Sequence, residues 1–199
     1  FKTFNMLRAN DLIWSFYVHN YLLGREPAPF DLLHWNADAT RMPRNMHLFY
    51  LRQMYIRNNL VKPGAIELAG LPLDLTKVTV PVYLEACRED HIAPFRSVFK
   101  AKHNFAGPVR FVLAGSGHIA GVINPPSANK YQYWLNAAEP QDVDHWVAGA
   151  TEHKGSWWPD WDAWLAAQSG DDVPARVPGD RGLAVIEDAP GTYVQARAN

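Results

Sequence analysis

The sequence predicts an α/β protein in which a mainly helical N-terminal segment precedes part of a parallel sheet. Three observations predict it. Two β-branched and aromatic runs, 78–86 and 109–114, have the texture of strands buried on both sides. The stretch between them, 93–104, carries Phe95, Val98, Phe99 and Lys102 at helical spacing. Strand, helix and strand over this length make a crossover between parallel neighbours. Residues 1–60, by contrast, show helical patterning and turn signals but no strand pattern.

In chain order, Asn10 and Asp11 offer N-cap chemistry before Leu12, Ile13 and Trp14, and Phe16, Tyr17 and Tyr21 continue an apolar face. Gly24, then Pro27 and Pro29, stop that helix. A polar, turn-rich stretch at 35–40 follows. Pro43 opens a second helix with Met46, Phe49, Tyr50 and Met54 on one side, ending near Asn58 and Asn59. Gly107 and Pro108 separate the crossover helix from the second strand, and Gly115-Ser116-Gly117-His118 forms the turn after it. Pro125 and Pro126 stop whatever follows. A last helix lies between Pro159 and Gln168, with Asp160 near its N-terminal dipole and Gly170 closing it. From Ser169 onward the chain is Pro/Gly-rich and reads as extended. The expected division is a cap or lid at 1–62, a sheet-containing core at 63–170 and a tail at 171–199.

Composition narrows the classes. The chain has 199 residues, 48% hydrophobic and 20% charged, enough for one substantial core. A net charge of −1 gives no basic surplus for nucleic acid or an anionic membrane. One cysteine, Cys87, excludes an internal disulfide framework and a cysteine metal cluster, and suits a reducing cytoplasm. No apolar run approaches the roughly 18–20 residues of a membrane span. A start at Phe1 is neither a signal peptide nor an initiator methionine, so the expectation is a piece of something longer. Eight Trp residues read either as a dense core or as a surface that meets something greasy.

Catalytic groups in open α/β sheets gather at the carboxyl ends of the strands. Arg88-Glu89-Asp90-His91 follows the first strand and Gly115-Ser116-Gly117-His118 the second. An acid after one strand and a histidine after the next is the chain order of an α/β-hydrolase triad, and the separation of 28 residues suits one crossover. His118 is the candidate general base and Asp90 the group that orients its ring and stabilises the imidazolium. The plainer alternative is an N-capping Asp and a turn His. His91 is a candidate for lining the same pocket, or a loop histidine bonded to backbone. The nucleophile is missing: no G-x-S-x-G or G-x-C-x-G elbow occurs in 1–89. Cys87 stands in Glu85-Ala86-Cys87-Arg88, without elbow glycines, and reads as a small buried cysteine. The elbow is expected upstream of Phe1.

At this point the motifs themselves resemble a family. Arg88-Glu89-Asp90-His91-Ile92-Ala93-Pro94 and Gly115-Ser116-Gly117-His118-Ile119-Ala120-Gly121-Val122-Ile123-Asn124-Pro125-Pro126 are similar to the acid and histidine motifs of class I polyhydroxyalkanoate synthases. The segments 7–14 and 30–36 look like that family's cap region, and Glu152-His153-Lys154-Gly155-Ser156-Trp157-Trp158-Pro159-Asp160-Trp161 like its Trp-rich C-terminal motif. The resemblance implies the C-terminal portion of an α/β-hydrolase fold with a helical cap or lid. It implies an acyltransferase that polymerises (R)-3-hydroxyacyl-CoA into polyester with release of CoA, through an elbow cysteine activated by His118. The resemblance also implies that Asp90 assists deprotonation of the incoming 3-hydroxyl, directly or through the histidine. It further implies no metal or redox cofactor, a homodimer, and a cytoplasmic location at polyester granules with possible granule-surface partner proteins. The rivals are an esterase or polyester depolymerase of the same fold and a non-catalytic granule-binding remnant. Trp157, Trp161 and Trp164, spaced by 4 and 3, read as core packing against the sheet or as contact with polymer.

Overall fold

The computed structural model describes residues 9–26, 42–179, 182–192 and 195. The expected stop at Pro27 and Pro29, the turn-rich stretch at 35–40 and the family-like segment 30–36 lie outside the described residues. The chain divides into two compact units, one of Phe1–Pro43 with Pro178–Asn199 and one of Arg44–Val177.

In the first unit, Asn10–Trp14 and Tyr17–Leu22 form a helix with wide, i→i+5 turns. Trp14 meets Tyr17 edge to face at 5.9 Å, and Tyr17 stacks on Tyr21 at 5.1 Å. Gly24, at φ +60, ends the helix as expected. The capping expectation at Asn10 is corrected: Ala9 before it is already helical, and no side-chain cap bond is made there. Residues 182–192 carry neither helix nor strand.

The second unit opens with α1, Arg44–Tyr50, which widens into i→i+5 turns over Leu51–Ile56 and closes where the Arg57 N–H donates to Arg52 C=O. No strand occurs before residue 60 among the described residues. A small hairpin follows, β1 Glu67–Leu68 against β2 Leu71–Pro72. Its tip, Ala69 and Gly70, has φ +52 and +79, the left-handed pair that a tight hairpin demands. Strands of two residues leave no period for the sequence to show.

The main sheet runs β3 Val82–Cys87, β4 Val109–Ala114, β5 Gln132–Leu135 and β6 Thr151–Lys154, paired in that order. β3 and β4 are parallel, in register from Val82 opposite Val109 to Cys87 opposite Ala114. The crossover between them is α2, Phe95–Phe99, tightening into a 3₁₀ turn at Lys100–Asn104. The first strand begins at Val82, not at 78, because Pro81 has no N–H for the ladder. Val78 instead closes the crossover, its C=O accepting from Ala106 and Gly107. The expectation of a parallel sheet holds for this pair alone. β5 and β6 are antiparallel additions, with α3, Val143–Ala148, between them, and α4, Trp158–Ala166, follows. β4 is therefore paired on both sides, and among the described residues β3 has one open edge.

Alternation along β3 and β4 makes two unlike faces. Leu84, Ala86, Phe111 and Leu113 point to one, where Phe99 and Trp146 close an apolar core. Phe99, Phe111 and Trp146 meet edge to face, with centroids 4.9 to 6.3 Å apart. Tyr83, Glu85, Cys87 and Arg110 point to the other. There Asp160 of α4 accepts from Tyr83 Oη at 2.9 Å and from Arg110 Nε at 3.0 Å. Lys102, at helical spacing with Phe95, Val98 and Phe99, is 7% exposed, and its ammonium is paired with Glu139 at 2.6 Å. Glu139 also accepts the Phe111 N–H at 3.1 Å, so one carboxylate satisfies a buried cation and a strand donor.

Candidate acid–histidine site

The ends of β3 and β4 stay tied together beyond the sheet. Arg88 N–H donates to Ala114 C=O at 2.8 Å, and Glu89 N–H to Ser116 C=O at 3.1 Å. These bonds hold two loops side by side, one bearing Asp90 and the other His118. The sharp turn before His118 was expected of its glycines, but Ser116 is the residue in left-handed conformation, at φ +73. Asp90 Oδ1 accepts the N–H groups of Ile92 at 2.8 Å and Ala93 at 2.9 Å, which caps the loop leading into α2. Its Oδ2 lies 2.7 Å from His118 Nδ1. One oxygen thus does the capping that the plainer reading foresaw, and the other engages the histidine.

Asp90 is 6% exposed in its side chain and His118 47%. Burial works to raise the Asp90 carboxyl, yet the Ala93 N–H, the His118 ring and the Ile92 N–H together hold it below the usual carboxylate range. An ionised carboxylate only accepts, so the hydrogen between the two side chains sits on His118 Nδ1. In the neutral imidazole, Nε2 would then carry the lone pair and be the atom that takes a proton.

Beneath this pair the packing is close. A Cβ on Gly121 would come within 2.4 Å of Cys87 Sγ and 2.7 Å of Gly115 C=O, so only glycine fits there. Cys87 is 2% exposed and donates its S–H to Glu85 at 3.2 Å. Burial, then the Glu85 charge, push its thiol far above the ordinary range, which leaves it a packed thiol without nucleophilic character. In the two loops that carry the pair, Ile92, Ile119 and Ile123 are more than half exposed.

His91 is exposed beside Asp90. A groove on the first helix of this unit, lined by residues such as Leu48, Phe49, Arg52 and Arg57, shares no residue with the Asp90–His118 site. Among the described residues no His, Cys, Asp and Glu group is arranged to hold a metal, and no helix is long and apolar enough to cross a membrane. Trp157 and Trp158 donate their indole N–H groups to Gly121 and Val122, in the turn after His118. The sequence did not show this link, since Trp157 reads there as part of a helix face for core packing or polymer contact, and Trp158 only as part of the Trp-rich motif.

An acid and a histidine on adjoining loops, at the carboxyl ends of two parallel strands, make this an α/β protein with a candidate acid–base pair. No protein-family model matches the chain. Individual proteins do. A poly(3-hydroxyalkanoate) polymerase subunit PhaC of Rhizobium meliloti is 53% identical over 99% of this chain and 32% of its own length. The subunit of the same name from Cupriavidus necator is 50% identical over 99% of this chain and 34% of its own. A poly(3-hydroxyalkanoate) polymerase of Methylorubrum extorquens is 55% identical over 99% of this chain and 33% of its own. The chain is a homologue of the poly(3-hydroxyalkanoate) polymerases, matching their C-terminal part. It spans about one third of the length of these relatives.

Proposed function

We propose that this chain supplies the base and the acid of a class I polyhydroxyalkanoate synthase, an acyltransferase joining (R)-3-hydroxyacyl units from their CoA thioesters. The 2.7 Å contact from His118 Nδ1 to Asp90 carries the proposal, because it fixes both the tautomer and the aim of the base. The nucleophile is a cysteine on an elbow outside this sequence. His118 Nε2 takes its S–H proton, and the thiolate attacks the thioester carbonyl of the acyl-CoA. As the tetrahedral adduct collapses, the CoA sulfur leaves with the proton returned by the imidazolium. The incoming 3-hydroxyl then loses its proton to His118 and attacks the acyl-enzyme thioester, forming the ester and freeing the cysteine. Asp90 stabilises the imidazolium in both halves and, in the second, also assists deprotonation of the incoming 3-hydroxyl; no metal or redox cofactor is required.

Transfer to an alcohol rather than to water needs a covered site. His118 is half exposed here, and exposed isoleucines lie in the same loops, which supports a cover supplied by the helical segment at 1–62 acting as a lid over the core at 63–170, with 171–199 a tail. In this reading His91 lines the acyl pocket, the complete enzyme is a homodimer, and it works in the cytoplasm at the surface of polyester granules.

The test uses the complete polymerase that contains this segment. His118→Ala should cut CoA release by about 10⁴-fold or more. Wild-type turnover in that variant would sink the base assignment. Asp90→Asn should slow elongation more than the first acylation, and equal loss in both steps would reduce Asp90 to an orienting role. Release of free hydroxyacid in place of polymer would favour the esterase or depolymerase reading.

A further inference from the structure

Asp90 fixes one atom of the His118 ring, but the backbone that carries the ring needs its own anchor. The turn at 117–123 has only two internal bonds, Gly121 N–H to Gly117 C=O at 3.0 Å and Ile123 N–H to Ile119 C=O at 2.8 Å. Its outward carbonyls go to the start of α4. Trp157 Nε1 donates to Gly121 C=O at 3.1 Å, and Trp158 Nε1 to Val122 C=O at 2.9 Å. Those two indoles are themselves held. Trp157 stacks on Tyr83 of β3 at 5.9 Å, and Ser156 Oγ, buried, accepts the Trp158 backbone N–H at 3.1 Å. Asp160, one turn along, is clamped by Tyr83 and Arg110 of the sheet.

The His118 turn is therefore gripped from two sides. Cys87 meets Gly121 from below, where there is no room for a Cβ, and two indole donors meet consecutive carbonyls from the side. An indole has a single N–H with a fixed direction in its plane. Two of them, from adjacent residues on one anchored helix start, locate the turn and not merely its distance. We propose that Trp157 and Trp158 are positioning residues for His118, so that the Trp-rich segment belongs to the catalytic frame. The proposal rests on the reading of His118 as the base, and it assigns these two tryptophans to neither plain core packing nor polymer contact.

The test is Trp157→Phe, Trp158→Phe and the double variant in the complete polymerase. Phenylalanine keeps an aromatic ring but has no donor. Each single change should lower kcat for CoA release roughly tenfold, and the pair roughly 100-fold, with KM little changed. The proton NMR signal of the His118 Nδ1–H bound to Asp90 should broaden in the single variants and vanish in the double. A purely structural role would not move that signal while the melting temperature stays near wild type. Wild-type kcat with an intact signal overturns the proposal, as does lost turnover with the signal unchanged. A loss confined to granule association would also overturn it, in favour of polymer contact. If the double variant does not fold, the single variants decide. Failure of the function itself is separately visible, because His118→Ala would then retain turnover.

Discussion

The two faces of the β3–β4 pair are built from alternate residues of the same twelve, yet they do different work. Leu84, Ala86, Phe111 and Leu113 meet Phe99 and Trp146 in an apolar core, in which the Trp146 indole N–H is buried with no hydrogen-bond partner. Tyr83, Glu85, Cys87 and Arg110 carry polar atoms, each satisfied by a specific group on α4 or on the same strand. The first face is held by area, which is insensitive to small shifts. The second is held by direction, because hydrogen bonds fail when misaligned. The loop with His118 lies over the directional face, which is where a base must be aimed. A sheet pair buried on both sides can thus divide stability and geometry between its surfaces.

That division can be broken or sharpened by substitution. The largest loss of stability should come from the apolar face: Trp146→Ala should cost about 3–5 kcal/mol in urea unfolding. A cost near zero would mean that this face is not the core. On the directional face, Arg110→Ala should cost about 1–3 kcal/mol, discounted from a fully buried pair because the Arg110 side chain is 38% exposed. It should also slow turnover in the complete polymerase by loosening α4. An equal cost with undiminished turnover would show that the clamp serves stability alone.

Asp90→Asn should cost about 1–3 kcal/mol near neutral pH. The Asp90 carboxyl titrates lower in the folded chain than unfolded, so its contribution is complete above the ordinary carboxylate value of about 4. It is lost as pH falls through the lower folded value. The wild-type and variant curves should therefore converge in acid, and a gap that widens there would contradict the bonding described. Smallest of all, Trp161→Ala should cost about 1 kcal/mol, since that ring is 39% exposed and meets Trp157 at 6.0 Å. Lost granule association with unchanged melting would assign that ring to the surface instead.

The Asp90–His118 pair was legible because topology makes it so: a crossover returns the chain to a neighbouring parallel strand, and the two following loops must adjoin. Cys87 was legible as a buried thiol for want of elbow glycines. β5 and β6 were not, since Gln132–Leu135 and Thr151–Lys154 are four residues each and lack a clean alternation. Lys102 is buried, and nothing local announces its partner Glu139, 37 residues away. Ser116, rather than either glycine flanking it, takes the left-handed conformation in the turn before His118.

The sequence by itself determined the local chemistry: the stop at Gly24, the capping carboxylate of Asp90, the β3–α2–β4 crossover, and through its motifs the kinship with poly(3-hydroxyalkanoate) polymerases. These depend on periodicity, or on side chains that bond within a few residues of their own backbone. Only the tertiary structure decided that Trp157 and Trp158 reach back 36 residues to the histidine turn, and that Arg110 and Tyr83 share one carboxylate. Such pairings follow from strand register and from which face each residue meets, and a one-residue slip would reverse every one of them.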